Sequence, residues 1–230
     1  ITMSNKEIVF VNGAYHDNWC WENFINFFIK NGYKCNINNY PEMEDENKYK
    51  ISMSDYVISL EKTINKMKTK PVIIVHSLGA AVVNRFLLKN SNKVLGVIFI
   101  APTSPINTFV EMLKAQYKCI GKSKSEMFFS GRVDDAEKYL DKFIELPFKV
   151  RIQVAKQVFK QNDSISIPCL VLGSYKDKCI PITSVIKAGQ FFNAKTIIYN
   201  DMCHDMMLDC EWREIAKEIL LFMNNLLGKE

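Results

Sequence analysis

The stretch that decides the fold is residues 72–81, which read VIIVHSLGAA. A run of β-branched residues leads directly into Ser77, and a helix-forming stretch follows Gly79 without an intervening loop. The pattern predicts a strand, a sharp turn with Ser77 at its apex, and a helix. Such a turn holds one hydroxyl clear of the chain, where a general base can reach it.

Similar strand-like runs alternate with amphipathic stretches along most of the chain. Strands are predicted over residues 7–12, 33–40, 72–75, 94–100, 168–173 and 195–199. Helices are predicted over residues 21–31, 53–67, 78–89, 182–191 and 211–227. Strands that are apolar throughout are typical of a parallel sheet covered by helices on both faces, which is an α/β fold. The C-terminal ends of parallel strands share one edge, and ligands bind there.

One segment, residues 103–166, interrupts this alternation between the fourth and fifth strands. Its pattern predicts two to four short helices, around residues 105–118, 134–146 and 147–160. We expect a helical cap inserted above the strand ends, on a core formed by residues 1–102 and 167–230. The alternative is that these helices simply enlarge the core.

Composition excludes several function classes. The 230 residues carry a net charge of +5. The lysines are scattered among acidic residues, so nucleic acid is not an expected partner. The seven cysteines are odd in number and lack C-x-x-C spacing, which favours reduced thiols in a cytoplasmic protein over a disulfide framework or metal site. Neither a signal peptide nor a membrane-spanning run is visible. The oligomeric state stays open.

A serine nucleophile needs a histidine base, and the chain has three histidines. His76 is adjacent to Ser77, and neighbours at a sharp turn point apart. His16 follows the turn after the first strand. His204 lies in a short loop after the last strand, at the edge where Ser77 is expected. By elimination, His204 is predicted to be the base.

The base in turn needs a carboxylate that fixes its tautomer. Asp177 lies just past the fifth strand and is the predicted acid. Asp201, Asp205 and Asp209 are closer to His204 along the chain. Closeness within a loop does not bring a carboxylate to the far ring nitrogen, so Asp177 is preferred.

Backbone N–H groups are the expected oxyanion donors, because they need no reorganisation during the reaction. Leu78 opens the helix after Ser77, where the helix dipole favours negative charge. Ala14 lies in the turn after the first strand, and Gly13 allows that turn to approach Ser77. The residues expected to line the substrate pocket are Asn12, Gly13, Tyr15, His76, Phe109 and Met206.

The order serine, aspartate, histidine, each after a successive strand, resembles the α/β-hydrolase fold. Residues 11–21, VNGAYHDNWCW, resemble the His-Gly-Ala-Trp-His-Gly-Ala-Trp-Cys-Trp signature of the branch that holds plant methylesterases, hydroxynitrile lyases and many bacterial esterases. Residues 173–181 are similar to the acid turn of that branch, and residues 204–208 to its His-x-Met-x-x ending. The resemblance covers nearly the whole chain outside the segment 103–166. It implies about six mainly parallel strands without the antiparallel edge pair of the family.

Three positions depart from the family pattern. Val75 stands where the G-x-S-x-G elbow begins with a small residue, and the turn crowds that position. Asn12 replaces the histidine of the oxyanion His-Gly, and Cys203 replaces the glycine that commonly precedes the catalytic histidine. None of the three removes a catalytic atom.

The sequence therefore favours a serine hydrolase that cleaves an apolar carboxylic ester or thioester without a cofactor. An acyltransferase uses the same triad and is not separated from it by sequence. A ligand-binding receptor on the same scaffold is an alternative of another class. The resemblance implies a lysine directly after the catalytic histidine in hydroxynitrile lyases, and Asp205 stands there. Arg132 and Arg151 are candidates to meet a substrate carboxylate.

Overall fold

The computed structural model describes residues 6–41, 46–157, 159 and 165–228. Six strands form one sheet in the order β2-β1-β3-β4-β5-β6, and all neighbours are parallel. They are β1 Glu7–Val11, β2 Lys34–Ile37, β3 Val72–His76, β4 Gly96–Ile100, β5 Cys169–Ser174 and β6 Lys195–Tyr199. The predicted six-stranded parallel α/β sheet is confirmed.

Burial explains why the four inner strands read as apolar runs. Every residue of β1, β3, β4 and β5 is buried, whereas β2 and β6, at the two edges, are only partly covered. Strands whose successive side chains are all buried must be covered on both faces. Strand β3 is thus one of the buried inner strands, and its C-terminal end leads into Ser77.

Nine α-helices are found among the described residues. They are α1 Glu22–Lys30, α2 Met53–Asn65, α3 Gly79–Asn90, α4 Thr108–Cys119, α5 Lys124–Phe128, α6 Glu137–Leu140, α7 Phe148–Ala155, α8 Ile182–Phe191 and α9 Trp212–Leu227. Helix α1 packs against α9, α2 packs against α3, and α8 packs on β5 and β6. Within the described part of the chain, no helix is both long and apolar enough to cross a bilayer.

Aromatic packing fixes α1 to the sheet. Phe24 and Phe28 are one turn apart on the buried side of α1, and their rings are 5.8 Å apart. Phe10 of β1 packs against Trp21 at 5.0 Å. Each fully buried large apolar side chain contributes roughly 1.5–3 kcal/mol to stability. This cluster therefore anchors the turn after β1, which carries Gly13 and Ala14.

The described part of the segment between β4 and β5 contains four short helices, α4 to α7. The helix predicted over residues 134–146 forms only one turn, α6, and Asp135, which has a positive φ of 51°, lies just before its start. Helix α7 contacts α2 and α4, and the Gln153 side chain accepts a 2.8 Å hydrogen bond from the Met53 N–H. Helix α7 ends at Ala155, earlier than the end predicted over 147–160, and residues 158 and 160 lie outside the described residues.

Candidate active site

Ser77 lies in the sharp turn between β3 and α3. Its φ is +52°, in the left-handed region, which costs a non-glycine residue roughly 1–2 kcal/mol. Hydrogen bonds hold it there: the Ser77 N–H donates to the Ile100 carbonyl at 2.9 Å, and the Ala80 N–H donates to the Ser77 carbonyl at 3.1 Å. The Ser77 side chain is directed to the C-terminal edge of the sheet, as the strand-turn-helix pattern predicts.

Two further side chains reach Ser77 from later strand ends. His204 Nε2 lies 3.0 Å from Ser77 Oγ, and His204 Nδ1 lies 2.8 Å from Asp177 Oδ2. A carboxylate only accepts, so Nδ1 donates to it and Nε2 is left to accept from the serine hydroxyl. The other Asp177 oxygen, Oδ1, accepts from the N–H groups of Cys179 and Ile180 at 2.7 and 2.8 Å. The three side chains are therefore aligned for proton transfer.

The electrostatics of His204 favour a base. Burial by itself lowers its pKa, but the charge and the hydrogen bond of Asp177 outweigh burial and raise the pKa above its ordinary value. The more distant charge of Asp205 acts in the same direction. A positive imidazolium is thus stabilised at the point where a proton would arrive from Ser77.

The three rival carboxylates have other partners. Asp209 accepts a two-pronged hydrogen bond from Arg132 at 2.9 and 3.0 Å, and Asp201 meets the same guanidinium at 3.3 Å. Asp205 binds His16. Arg132 was expected as a candidate to meet a substrate carboxylate. Its guanidinium group instead binds Asp201 and Asp209, which lie on the loop after β6.

A second histidine–aspartate pair lies behind the first. We call His204 and Asp177 the front pair, and His16 and Asp205 the rear pair. In the rear pair His16 Nε2 lies 2.7 Å from Asp205 Oδ2, and both side chains are fully buried. His16 Nδ1 lies 2.6 Å from the Ala14 carbonyl, which can only accept, so Nδ1 carries a proton. The rear pair thereby ties the turn after β1 to the loop after β6.

His76 lies between the two pairs. Burial first, and then the positive charges of His204 and His16, hold its pKa well below the ordinary value. The neutral ring donates from Nε2 to the His204 carbonyl at 3.1 Å. His76 therefore supports the backbone of the loop that carries His204 instead of facing a ligand.

A cavity of about 450 Å³ opens above Ser77 and His204. Its volume is within the roughly 300–1,000 Å³ range of small-molecule sites. Helices α4, α5 and α7 supply most of the apolar wall, which includes Phe109, Met112, Leu113, Met127, Phe128, Ile152 and Ala155. Arg151 and Lys122 also line it, and among the described residues no acidic side chain does.

Two of the six residues expected in the substrate pocket, Tyr15 and Phe109, line this cavity, and the other four do not. His76 and Met206 are fully buried behind the triad. The Asn12 side chain donates to the His16 carbonyl and does not face the cavity. Gly13 lies against the turn that carries Ser77. Sequence placed these residues near the correct edge but did not give the direction of their side chains.

Both expected oxyanion donors, Ala14 and Leu78, line the cavity beside Ser77. Among the described residues, neither backbone N–H donates a hydrogen bond to another protein group. Gly13 makes this approach possible, because a Cβ there would lie 2.9 Å from the Ser77 Cβ. Two free N–H groups next to a nucleophile are suited to stabilise a developing oxyanion.

The unusual Val75 is accommodated by a neighbouring glycine. A Cβ on Gly79 would lie 3.0 Å from a Val75 methyl group and 2.6 Å from the Asn12 carbonyl oxygen. The absence of a side chain at Gly79 therefore leaves the space that Val75 fills. Ser77 keeps its place in the turn despite the larger residue.

Two groups of potential metal ligands occur in the described part of the chain. One is Asp177, Cys179 and His204, and the other is His16, His76 and Asp205; in each, three donor atoms lie within 4.8 Å of one another. The hydrogen bonds of the front and rear pairs already engage the carboxylates of both groups. The expectation that the protein uses no metal or cofactor stays a prediction.

Comparison with known proteins gives a family and a fold. The serine hydrolase family model matches residues 33–213. No curated protein sequence matches the chain. Among solved structures, polyneuridine aldehyde esterase is similar with a TM-score of 0.76 at 16% identity, covering 94% of this chain and 98% of that one.

Two other solved structures have the same architecture. A methylesterase from Arabidopsis has a TM-score of 0.74 at 15% identity, covering 95% of this chain and 99% of that chain. A lipase-esterase related protein from Clostridium acetobutylicum has a TM-score of 0.68 at 15% identity, covering 96% of each chain. At these identities the likeness shows the α/β-hydrolase fold, and the residue roles must come from the geometry of this chain.

Proposed function

This chain belongs to the serine hydrolase family, and from that premise we propose that it is an esterase with Ser77 as its nucleophile. His204 is the general base and Asp177 the acid that orients it. The observation that carries the proposal is the continuous hydrogen-bonded path from Ser77 Oγ through His204 to Asp177, which opens into an apolar cavity. Carboxylic esters and thioesters are the substrates that fit this chemistry.

In the first half-reaction, His204 Nε2 takes the Ser77 proton while Oγ attacks the ester carbonyl carbon. The carbonyl oxygen becomes an oxyanion held by the N–H groups of Ala14 and Leu78. His204 then gives its proton to the leaving alcohol or thiol, and the acyl group stays on Ser77.

In the second half-reaction, water replaces the leaving group. His204 removes a proton from the water, and the resulting hydroxide attacks the acyl carbonyl. The second oxyanion uses the same two N–H groups. Collapse of this intermediate releases the carboxylic acid and returns the proton to Ser77 Oγ.

The substrate class follows from the cavity wall. We propose that residues 103–166 act as a cap on a core of residues 1–102 and 167–230, because α4, α5 and α7 cover the triad with apolar side chains. An apolar acyl chain or ring is the group that this wall would bind. Arg151 is the cap residue placed to meet an acyl chain that ends in a carboxylate, since no acidic side chain of the described part of the chain lines the cavity beside it.

The decisive test is hydrolysis of p-nitrophenyl esters and acyl thioesters of increasing chain length by the full chain. Ser77→Ala is expected to lower kcat by at least about 10⁴-fold. Ser184→Ala is the matched control, because Ser184 is also a buried serine but donates to the Pro102 carbonyl away from the triad. Hydrolysis that survives Ser77→Ala would contradict the proposal.

A fluorophosphonate probe separates an esterase from a non-catalytic receptor on the same scaffold. Peptide mass spectrometry should find the phosphonyl group on Ser77, because only an activated hydroxyl reacts at a useful rate. Absence of labelling, with tight binding of a small apolar ligand, would favour the receptor.

An added ester whose acyl chain ends in a carboxylate tests Arg151, since Arg151→Met should raise KM for that ester only.

A further inference from the structure

Two cysteines meet at the wall of the active-site cavity. Cys119 is the last residue of α4, Cys179 follows Asp177 by two positions, and both line the cavity. Lys178, the residue directly before Cys179, lies against the Cys119 side chain, and its carbonyl oxygen is 3.9 Å from Cys119 Sγ. The end of α4 therefore rests directly on the turn that carries the acid.

Cys179 is linked to the triad on its other side. Its N–H donates to Asp177 Oδ1 at 2.7 Å, and its sulfur lies within 4.8 Å of ligand atoms of both Asp177 and His204. Lys118 strengthens the link from α4, because its ammonium group donates to the carbonyls of Asp177 and Ile180. A chemical change at the Cys179 sulfur would thus occur beside the catalytic acid.

The two thiols differ in reactivity. Interaction with the neighbouring Cys179 side chain, helped by the positive charge of His204 against the effect of burial, lowers the pKa of Cys119 to about 7. The same interaction and burial hold the pKa of Cys179 well above its ordinary value. A thiolate is the attacking species in disulfide exchange, so Cys119 is suited to attack and Cys179 to resolve.

We propose that Cys119 and Cys179 form a reversible disulfide site that reacts with small disulfides such as oxidised glutathione. The Cys119 thiolate attacks one sulfur of the small disulfide, forms a mixed disulfide and releases one thiolate. Cys179 then attacks the Cys119 sulfur, and its proton goes to the second departing thiolate. In total, two cysteines lose two electrons and one small disulfide is reduced to two thiols.

The new bond would join the cap to the acid turn. A covalent bond would draw the two sulfurs together, and it would draw Cys179 Sγ away from the Met127 carbonyl oxygen, 3.5 Å distant. The Cys179 N–H that holds Asp177 moves with it. Displacement of a catalytic group by about 1 Å lowers rates by up to about 100-fold, so the oxidised form is expected to be slower.

The experiment treats the full chain with oxidised glutathione in the presence of EDTA. Peptide mass spectrometry is expected to find residues 119 and 179 joined, with the loss of two hydrogens. Esterase activity is expected to fall by about 10- to 100-fold and to return with a reductant. In Cys119→Ser and Cys179→Ser, the ratio of oxidised to reduced activity should stay near one. Cys210→Ser, at the exposed cysteine, should keep the response.

Two results would overturn the inference: no joined peptide under oxidation, or a joined peptide in an enzyme whose rate is unchanged. The activity readout rests on the proposed esterase function, whereas the joined peptide does not. A reduced chain without esterase activity would therefore contradict the proposed function, and the peptide would still decide on the disulfide.

Discussion

The front pair and the rear pair contain the same two residue types in almost the same geometry. The histidine–carboxylate distances are 2.8 Å and 2.7 Å, and all four side chains are buried. The carboxylate meets Nδ1 in His204 and Nε2 in His16, and the pairs also differ in the group beyond the other ring nitrogen. His204 faces the Ser77 hydroxyl, whereas His16 faces the Ala14 carbonyl.

The group beyond the other ring nitrogen is what separates a base from a structural tie. A hydroxyl can give up a proton, so the outer nitrogen of His204 is able to receive one. A carbonyl has no proton to give, so the outer nitrogen of His16 must keep its own. A buried histidine–aspartate pair is therefore not evidence of catalysis until the group on the far side of the ring is known.

The largest expected effect comes from removing the carboxylate of each pair in turn. Asp177→Asn should lower kcat by about 10⁴-fold, because an amide can hold the wrong tautomer of His204. Asp205→Asn should lower it by about tenfold at most, through the position of the Ala14 turn. Steady-state kinetics on one p-nitrophenyl ester measures both. Equal losses would remove the distinction between the pairs.

The free energy of unfolding, in contrast to kcat, should depend strongly on the rear pair. Asp205→Asn leaves His16 without its buried partner, and breaking such a pair costs about 3–5 kcal/mol in the free energy of unfolding. Urea unfolding followed by tryptophan fluorescence measures it. The double variant His16→Gln/Asp205→Asn should recover part of the loss, because it leaves no unpaired charge. A double variant as unstable as the sum of the single variants would contradict the tie between the two loops.

His76, between the pairs, should make the fold sensitive to acid. Its pKa is depressed in the folded state, so below about pH 6.5 the unfolded chain binds the extra proton and stability falls. The loss reaches about 1.4 kcal/mol per pH unit for this group. His76→Gln should flatten the dependence between about pH 5 and 6.5, as measured by urea unfolding at several pH values. An unchanged slope would place the acid sensitivity elsewhere.

The smallest expected effect is a graded change in the pKa of His204. Asp177 and Asp205 both raise it, with Asp177 the stronger. The neutral base therefore forms only as pH rises through a value above about 6.5, and kcat/KM rises with it. Any stability from the charged ring is present below about pH 6.5 and is lost as pH rises through the folded pKa. NMR titration of the ring should show a large decrease in the pKa of His204 in Asp177→Asn and a smaller decrease in Asp205→Asn. The reverse order would contradict this prediction.

The fold was accessible from sequence because its signals are local. Apolar runs, turns and helical stripes each span about ten residues, and a parallel sheet follows from their alternation. The order of Ser77, Asp177 and His204 was accessible for the same reason, since each follows a predicted strand. Their assigned roles stay predictions until the variants are measured.

The rear pair was not accessible because its residues are 189 positions apart and neither is at a predicted apex. The one available signal was that His16 and Asp205 both follow strands that end at the same edge. The prediction that His76 and Met206 line the pocket failed for another reason. Both residues are at that edge, but the side on which a loop residue packs depends on tertiary contacts. Arg132 was drawn away by acids whose arrangement only the folded loop defines.

Ser77 is far from Asp177 and His204 along the sequence, and this separation has a consequence for biosynthesis. Ser77 leaves the ribosome long before His204, and β5 and β6 must join the sheet before the base can arrive. Parallel pairings between distant segments are slow steps in folding. Until the loop after β6 has been synthesised and docked, the nascent chain holds its serine without a base, so hydrolysis would report completed folding and would spare cellular esters from a half-made enzyme.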